Sequence, residues 1–296
     1  MQRTLFLMPV KNDYMSAEKL IEQVQALSKQ GGVSCNFLLV DDGSQLEEIE
    51  YSSQKFRLNS KVEILELNQR TGHQNAIFVG LQHASKKYSD FDVVIMDADG
   101  EDKPEDALTI AKLLENEQVV MAKRGSRKSS FTFKIGYFLY LNLFKRLVGI
   151  EFKSGNFLGI SSSYIPIILT IPTLRKHVAA SIMRRGVNIR YLEFDRAPRI
   201  DGTSRMNFAG LVLHAYGAFS VFSDTILVRL CFFFFGIISF LIPVISLLGI
   251  LKLTGELNAI PGWTSIIFVQ LLAMLLNLFA VSIIGLLLLL RIESMN

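Results

Sequence analysis

Six carboxylates fall in "IMDADGEDKPED", Ile95 to Asp106. They follow "FDVVIM", a short apolar run of the kind that forms a buried strand. Along an extended chain, residues i and i+2 face the same side, so Asp97 and Asp99 share a face where such a strand ends. Carboxylates that close repel unless a cation sits between them or one takes a proton. Hard oxygen donors suit Mg2+ or Mn2+. The competing reading is a solvated acidic loop ahead of the helix that Pro104 opens. Asp102, Glu105 and Asp106 fit that second role, since negative charge is stabilised at a helix N-terminus.

Two other polar motifs stand at strand ends. "TLFLMPV" runs into "PVKND" and "CNFLLV" runs into "DDGS". Asp41 and Asp42 could accept hydrogen bonds from a base or ribose, although Asp-Asp-Gly-Ser is also a good turn. Around these motifs, apolar strands alternate with helical stretches. A helix follows Ser16 as its cap, with Leu20, Val24 and Leu27 on one face. The strand "KVEILEL", a loop "NQRTGHQ", a helix to about Tyr88, a helix from Pro104 and the strand "QVVMA" continue the pattern. The expectation is an α/β, doubly wound, mainly parallel sheet with ligands at the carboxyl ends of its strands. There the three motifs converge. No Walker loop and no G-x-G-x-x-G after the first strand is present, which disfavours ordinary P-loop and dinucleotide folds.

The remaining chain is of another kind. Of 296 residues half are hydrophobic, and charges almost vanish after Arg229. The runs 230–251 and 265–290 carry no charge, and about 20 apolar residues cross a bilayer core as a helix. Pro243 lies inside the first, and Gln270 and Asn277 on the second could bond between helices or subunits, so a homo-oligomer stays open. Arg196, Arg199, Arg205 and Arg229 precede the spans and Arg291 follows them, which places both ends in the cytosol, with Trp263 at the interface. Residues 206–226 read as a juxtamembrane helix lying on the membrane or packed on the soluble part. The stretch 131–149, with Lys134, Lys145 and Arg146, leaves the same two choices. The expected division is 1–205 catalytic and cytosolic, 206–226 juxtamembrane and 230–290 membrane. The net charge of +4 is mild and its basic clusters short, so no nucleic-acid partner is expected. The two cysteines, Cys35 and Cys231, suggest neither a disulfide nor a metal site. No cleavable signal is legible in "MQRTLFLMPVKND".

The ordered motifs resemble family 2 glycosyltransferases of the GT-A fold. Within these, the chain is similar to the polyprenyl-phosphate sugar transferases of the dolichol-phosphate mannose synthase type that carry two C-terminal spans. "MPVKND" resembles P-x-x-N-E, with Asp13 for Glu. "NQRTGHQNA" resembles N-x-G-H-x-x-A, and "DADGED" resembles D-A-D-x-Q, with Glu101 for Gln. "KRGSRKSS" resembles R-x-x-R-x-x-S through Arg124, Arg127 and Ser130. "RAPRIDGTSR" resembles R-x-x-G-x-S-[KR] through Arg199, Ser204 and Arg205. The resemblance implies that Asp97, Asp99 and Glu101 hold the metal, and that Pro9, Asn12, Asp13, Asp42 and Asp97 line a nucleotide pocket. It implies a nucleotide-sugar donor (UDP-, GDP- or dTDP-linked), a polyprenyl phosphate acceptor, and Arg124, Arg127, Arg199 and Arg205 for phosphate, whose oxygens suit the planar guanidinium fork. His73 falls near the site, with a structural role favoured.

One departure stands out. Where the family carries G-D-F-R this chain has "SGNFLG", with Asn156 for Asp and Leu158 for Arg. An amide cannot accept a proton as a carboxylate does. A sugar hydroxyl acceptor needs a base. A lipid phosphate, with a second pKa of about 6, does not. Asn156 is therefore tolerable for a phosphate acceptor and harmful for a hydroxyl acceptor, unless Glu151, Asp102 or Asp195 substitutes. Two alternatives stand beside polyprenyl phosphate: a lipid-linked glycan or other cell-envelope acceptor, and a membrane-anchored nucleotide-sugar-binding protein impaired in catalysis.

Overall fold

The computed structural model describes residues 2–56, 59–124, 131–151, 154–201, 208–255 and 262–294. Seven strands, β1 (Arg3–Val10), β2 (Ser34–Asp41), β3 (Val62–Glu66), β4 (Asp92–Ile95), β5 (Val119–Arg124), β6 (Ser154–Ile160) and β7 (Ile189–Phe194), form a sheet ordered β3-β2-β1-β4-β6-β5-β7. All neighbours run parallel except β6, which is antiparallel to β4 and to β5. The expected doubly wound sheet is present, and the strand order reverses direction of growth between β1 and β4.

Strand β1 shows why a continuous apolar run is needed. Every residue from Thr4 to Val10 is buried, because helices cover both faces. Phe6, Met8 and Val10 pack with Phe37 and Leu39 against α1 (Tyr14–Gly31) and α4 (Pro104–Leu113). Leu5 and Leu7 pack with Leu38 and Val40 against α3 (His73–Lys87). Each such fully buried side chain contributes about 1.5–3 kcal/mol. The helix α2 (Leu46–Phe56) joins β2 to β3, and α5 (Phe131–Val148), α6 (Ile165–Leu169) and α7 (Val178–Arg185) complete the elements before the C-terminal helices. The first helix begins earlier than its expected Ser16 cap. Asp13 is the cap residue, without a side-chain cap bond, and Ser16 is buried inside the helix.

The chain forms two compact units, residues 1–142 with 151–221, and residues 143–150 with 222–296. The first contains the sheet and α8 (Phe208–Val221). Tyr140 meets Phe219 edge-on at 5.6 Å there, and the Arg184 guanidinium donates to the Val221 carbonyl. The second contains α9 (Ser223–Leu253), α10 (Trp263–Ser294) and the end of α5. Helices α9 and α10 pack on each other, and α9 continues as helix through Pro243. Two segments, Ser223–Leu253 and Ser265–Gly285, are long and apolar enough to cross a membrane. Within this unit, the Arg229 guanidinium donates to the Arg146 carbonyl at 3.2 Å, next to the Gly149 turn that ends α5. A cation at that point favours the negative end of the helix.

Candidate active site

The carboxyl ends of β1, β2 and β4 bring the three polar motifs together. After β1, Asn12 adopts φ 54, a left-handed conformation that asparagine tolerates better than most residues. Its Oδ1 accepts from the Gln45 backbone N–H at 2.8 Å, and its own N–H donates to Ser44 Oγ at 2.9 Å. The "PVKND" and "DDGS" turns are thus bonded to one another. Pro9 lies on the last turn-facing stretch of β1, and Asp13 opens α1.

The two aspartates after β2 brace loops. Asp41 is buried and accepts from the Tyr14 hydroxyl at 2.6 Å and from the Ser44 N–H at 2.7 Å. Burial and this bond to Asp41 push the Tyr14 phenol well above its ordinary range. Asp41, expected to face a base or ribose, has its carboxylate engaged by these two donors inside the domain. Asp42 accepts from the N–H groups of Thr71 at 2.5 Å and Gly72 at 2.9 Å. It clamps the loop that leads into α3. Gly72, at φ 91, gives the turn a conformation that a side chain would strain.

His73 follows as the first residue of α3, and its Nε2 lies 3.5 Å from Asp97 Oδ1. The sequence favoured a structural role for this histidine; the fold brings it to the acidic motif. Asp97 is partly exposed and its N–H donates to Asp102 Oδ2 at 3.0 Å. Asp102 therefore folds back on the turn, where helix support had been expected, and the first turn of α4 keeps Glu105 and Asp106. Asp99 is nearly buried. Burial pushes its carboxyl up to about 6, the Asp97 charge adds to this, and the Glu101 N–H and Arg199 oppose it.

Strand β4 ends at Ile95 and the chain turns at residues 98–99, so strand alternation does not carry through to Glu101. Gly100, at φ 85, completes that turn in a conformation a side chain would strain. A Cβ there would fall 2.5 Å from Cγ1 of Ile200. The Glu101 carboxylate, expected on a metal, is ion-paired to Arg196 and to Arg199 Nε at 3.3 Å. Arg199 also reaches Asp99, with Nη2 2.7 Å from Oδ2. Among the described residues no three His, Cys, Asp or Glu side chains gather as a metal cluster. Asp97 and Asp99 remain as the pair of oxygen donors at the strand end. Arg196 was absent from the residues singled out as ligand-binding. Its signal was the three-residue spacing to Arg199 in "RAPR".

Asn156 lies on β6, and the antiparallel register Ile95↔Leu158 carries it to the level of Asp97. It is 5% exposed, and its Oδ1 has no hydrogen-bond partner among the described residues. Arg124 ends β5, paired in register with Phe194. Arg127, Ser130, Ser204 and Arg205 lie outside the described residues.

Comparisons with known proteins agree with this architecture. The family model described as glycosyl transferase family 2 matches residues 6–169, more than half of the chain. The uncharacterized glycosyltransferase YkcC of Bacillus subtilis (strain 168) is 26% identical over 94% of this chain and 86% of its own length. The uncharacterized glycosyltransferase sll0501 of Synechocystis sp. is 23% identical over 94% of this chain and 87% of its own. Among solved structures, glucosyl-3-phosphoglycerate synthase from Mycobacterium tuberculosis, in complex with Mn2+, UDP and phosphoglyceric acid, superposes with a TM-score of 0.51 at 16% identity. It covers 76% of this chain and 78% of that one. Mannosyl-3-phosphoglycerate synthase from Rubrobacter xylanophilus gives 0.50 at 14% identity, over 88% and 78%. With the GT-A sheet, the acidic strand-end motif and the family match in agreement, the chain belongs to glycosyl transferase family 2 and is a glycosyltransferase.

Proposed function

We propose that the enzyme moves a sugar from a nucleotide-sugar to a polyprenyl phosphate at the cytosolic face of a membrane, with inversion at the anomeric carbon. The observation that carries this reading is Asn156. By motif it stands where the family carries a carboxylate, and it is buried and unable to take a proton. An ionised lipid phosphate can attack without a base; a sugar hydroxyl cannot do so efficiently. The two apolar helices that follow the catalytic part support an acceptor held in a bilayer.

The donor would lie across the carboxyl ends of β1, β2 and β4. Asn12, Asp13 and Pro9 are proposed for the nucleoside side. Asp42 acts there by clamping the loop 70–72 that faces it. Asp97 and Asp99 are proposed to hold Mg2+ or Mn2+. The fit rests on the donor set: two neighbouring carboxylates whose charges repel, with one nearly buried. The synthase from Mycobacterium tuberculosis was solved with Mn2+ and UDP, and the same ligand classes are proposed here. A divalent cation would supply neutralisation of the departing nucleoside diphosphate. Arg199 adds fixed positive charge at the same place. Arg124, with Arg127, Ser130, Ser204 and Arg205, is proposed on motif grounds for the phosphates of donor or acceptor.

The domain boundaries follow the same reading, with residues 1–205 catalytic, 206–226 at the membrane surface and 230–290 spanning it. Screening labelled nucleotide-sugars against undecaprenyl and dolichyl phosphate tests the acceptor directly. Product with bare lipid phosphate supports it. Product only with a glycosylated lipid supports transfer onto a lipid-linked glycan instead.

A further inference from the structure

We infer that Glu101 is a positioning residue for Arg196 and Arg199 rather than a metal ligand, and that Arg199 opposes a divalent cation at Asp99. The inference rests on the proposed metal reading of Asp97 and Asp99. Four observations carry it.

Both Glu101 oxygens are engaged by guanidinium groups, Oε2 by Arg196 and Oε1 by Arg199. Arg199 bridges Glu101 and Asp99 across the Gly100 turn, Nε to one and Nη2 to the other. The arginines cannot drift freely, because their segment is bonded to the acidic turn through its backbone. The Ala197 N–H donates to the Glu101 carbonyl and the Ile200 N–H to the Asp99 carbonyl, both at 3.0 Å. Ile200 fills the space over Gly100. Finally, Arg196 is largely buried and its Nε has no hydrogen-bond partner among the described residues. A guanidinium in that setting needs a full counter-charge. Glutamate supplies one, and the neutral glutamine of the family pattern would not.

The consequence concerns the cation. Asp99 already faces a fixed positive charge, with Arg199 Nη2 at 2.7 Å from Oδ2. A divalent ion must share that carboxylate with Arg199 or displace it. Removing Arg199 should therefore strengthen metal binding. Removing the Glu101 charge should weaken it little, since loss of attraction is offset by a looser Arg199.

The test is Mn2+ binding to the full chain in detergent, without nucleotide, followed by the electron paramagnetic resonance of the free ion. Arg199→Gln is expected to bind Mn2+ at least about threefold more tightly than the parent, because a like charge beside Asp99 is gone, and Glu101→Gln to stay within about threefold of it, because the lost attraction and the looser Arg199 offset each other. A larger weakening in Glu101→Gln, or no tightening in Arg199→Gln, would overturn the inference. Should Glu101→Gln fail to fold, Arg199→Gln alone decides. Asp99→Asn separates the two levels: if it keeps the parent's Mn2+ affinity, the metal reading itself falls.

Discussion

Arg199 and Asp99 are joined side chain to side chain, Nη2 to Oδ2 at 2.7 Å, although one lies in the segment after β7 and the other in the turn after β4. The contact closes the carboxyl edge of the sheet with a segment that the strand pattern alone does not place there. It also makes the acidic motif a two-sided structure, with Asp97 and Asp99 on one side of Gly100 and Glu101 on the other.

The close approach of Gly100 and Ile200 gives the first expected outcome. Gly100→Ala adds a methyl 2.5 Å from Ile200 Cγ1 and forces an alanine to φ 85. The variant should lose about 2–4 kcal/mol, part from the clash and part from the strained backbone. Adding Ile200→Ala should recover only the clash portion. Denaturant unfolding of the three variants measures this, and full recovery in the double variant would mean that the backbone is not strained.

The loop clamp at Asp42 gives another. Asp42→Ala leaves the Thr71 and Gly72 N–H groups without their acceptor. Loss of stability by about 1–3 kcal/mol is expected. With the donor where it is proposed, the KM for nucleotide-sugar should rise more than kcat falls, because Asp42 acts on it through the loop. An unchanged KM would place the donor elsewhere.

Much of this was legible in the sequence, and what was not has physical causes. The alternation of strands and helices, the three strand-end motifs and the two apolar C-terminal helices follow from periodicity and hydropathy. Strand β6 was legible only as a motif, since its antiparallel insertion between β4 and β5 depends on pairing distant in sequence. The pairing of Glu101 with Arg196 and Arg199 was not legible, because spacing by two speaks only for an extended chain and the arginines come from a segment about 95 residues away. Asp41 and Asp42 looked like ligand acceptors because the Tyr14 hydroxyl and the Thr71 and Gly72 N–H groups that occupy them come from other segments. The contact of His73 with Asp97 was not legible, because the two meet only in the fold.

A pH dependence follows from Glu63, away from the site. Its carboxylate accepts from Lys87 at 2.7 Å, the Tyr88 hydroxyl at 2.5 Å and His83 at 2.9 Å. Burial alone would raise its pKa, but these donors outweigh burial and hold it below the ordinary 4.5. A depressed carboxylate contributes stability above its unfolded pKa and loses it as pH falls through the folded one. Glu63→Gln should therefore cost about 1–2 kcal/mol at pH 7. The gap to the parent should be constant above the ordinary glutamate range and close as pH falls below it. Thermal melts across that range measure it, and a gap that widens on acidification would contradict the assignment.

Asn156 separates the acceptor classes. With a phosphate acceptor, Asn156→Ala should keep activity within about tenfold of the parent, since no proton transfer of the usual 100-fold or greater worth is lost. Asn156→Asp should bring no gain, because a carboxylate buried at the level of Asp97 is driven toward its neutral form. Complete loss in alanine together with a large gain in aspartate would point to a hydroxyl acceptor and a missing base. Steady-state rates for both variants decide.

The most direct measurement is product formation from labelled nucleotide-sugars with bare polyprenyl phosphate, with Mg2+ or Mn2+, for the parent chain and for Asp99→Asn. The account expects a sugar-phosphate-lipid product from the parent and a loss of about 100-fold or more in the variant, the scale of removing a group that stabilises developing charge. Product only on a glycosylated lipid, or full activity in Asp99→Asn, would contradict it.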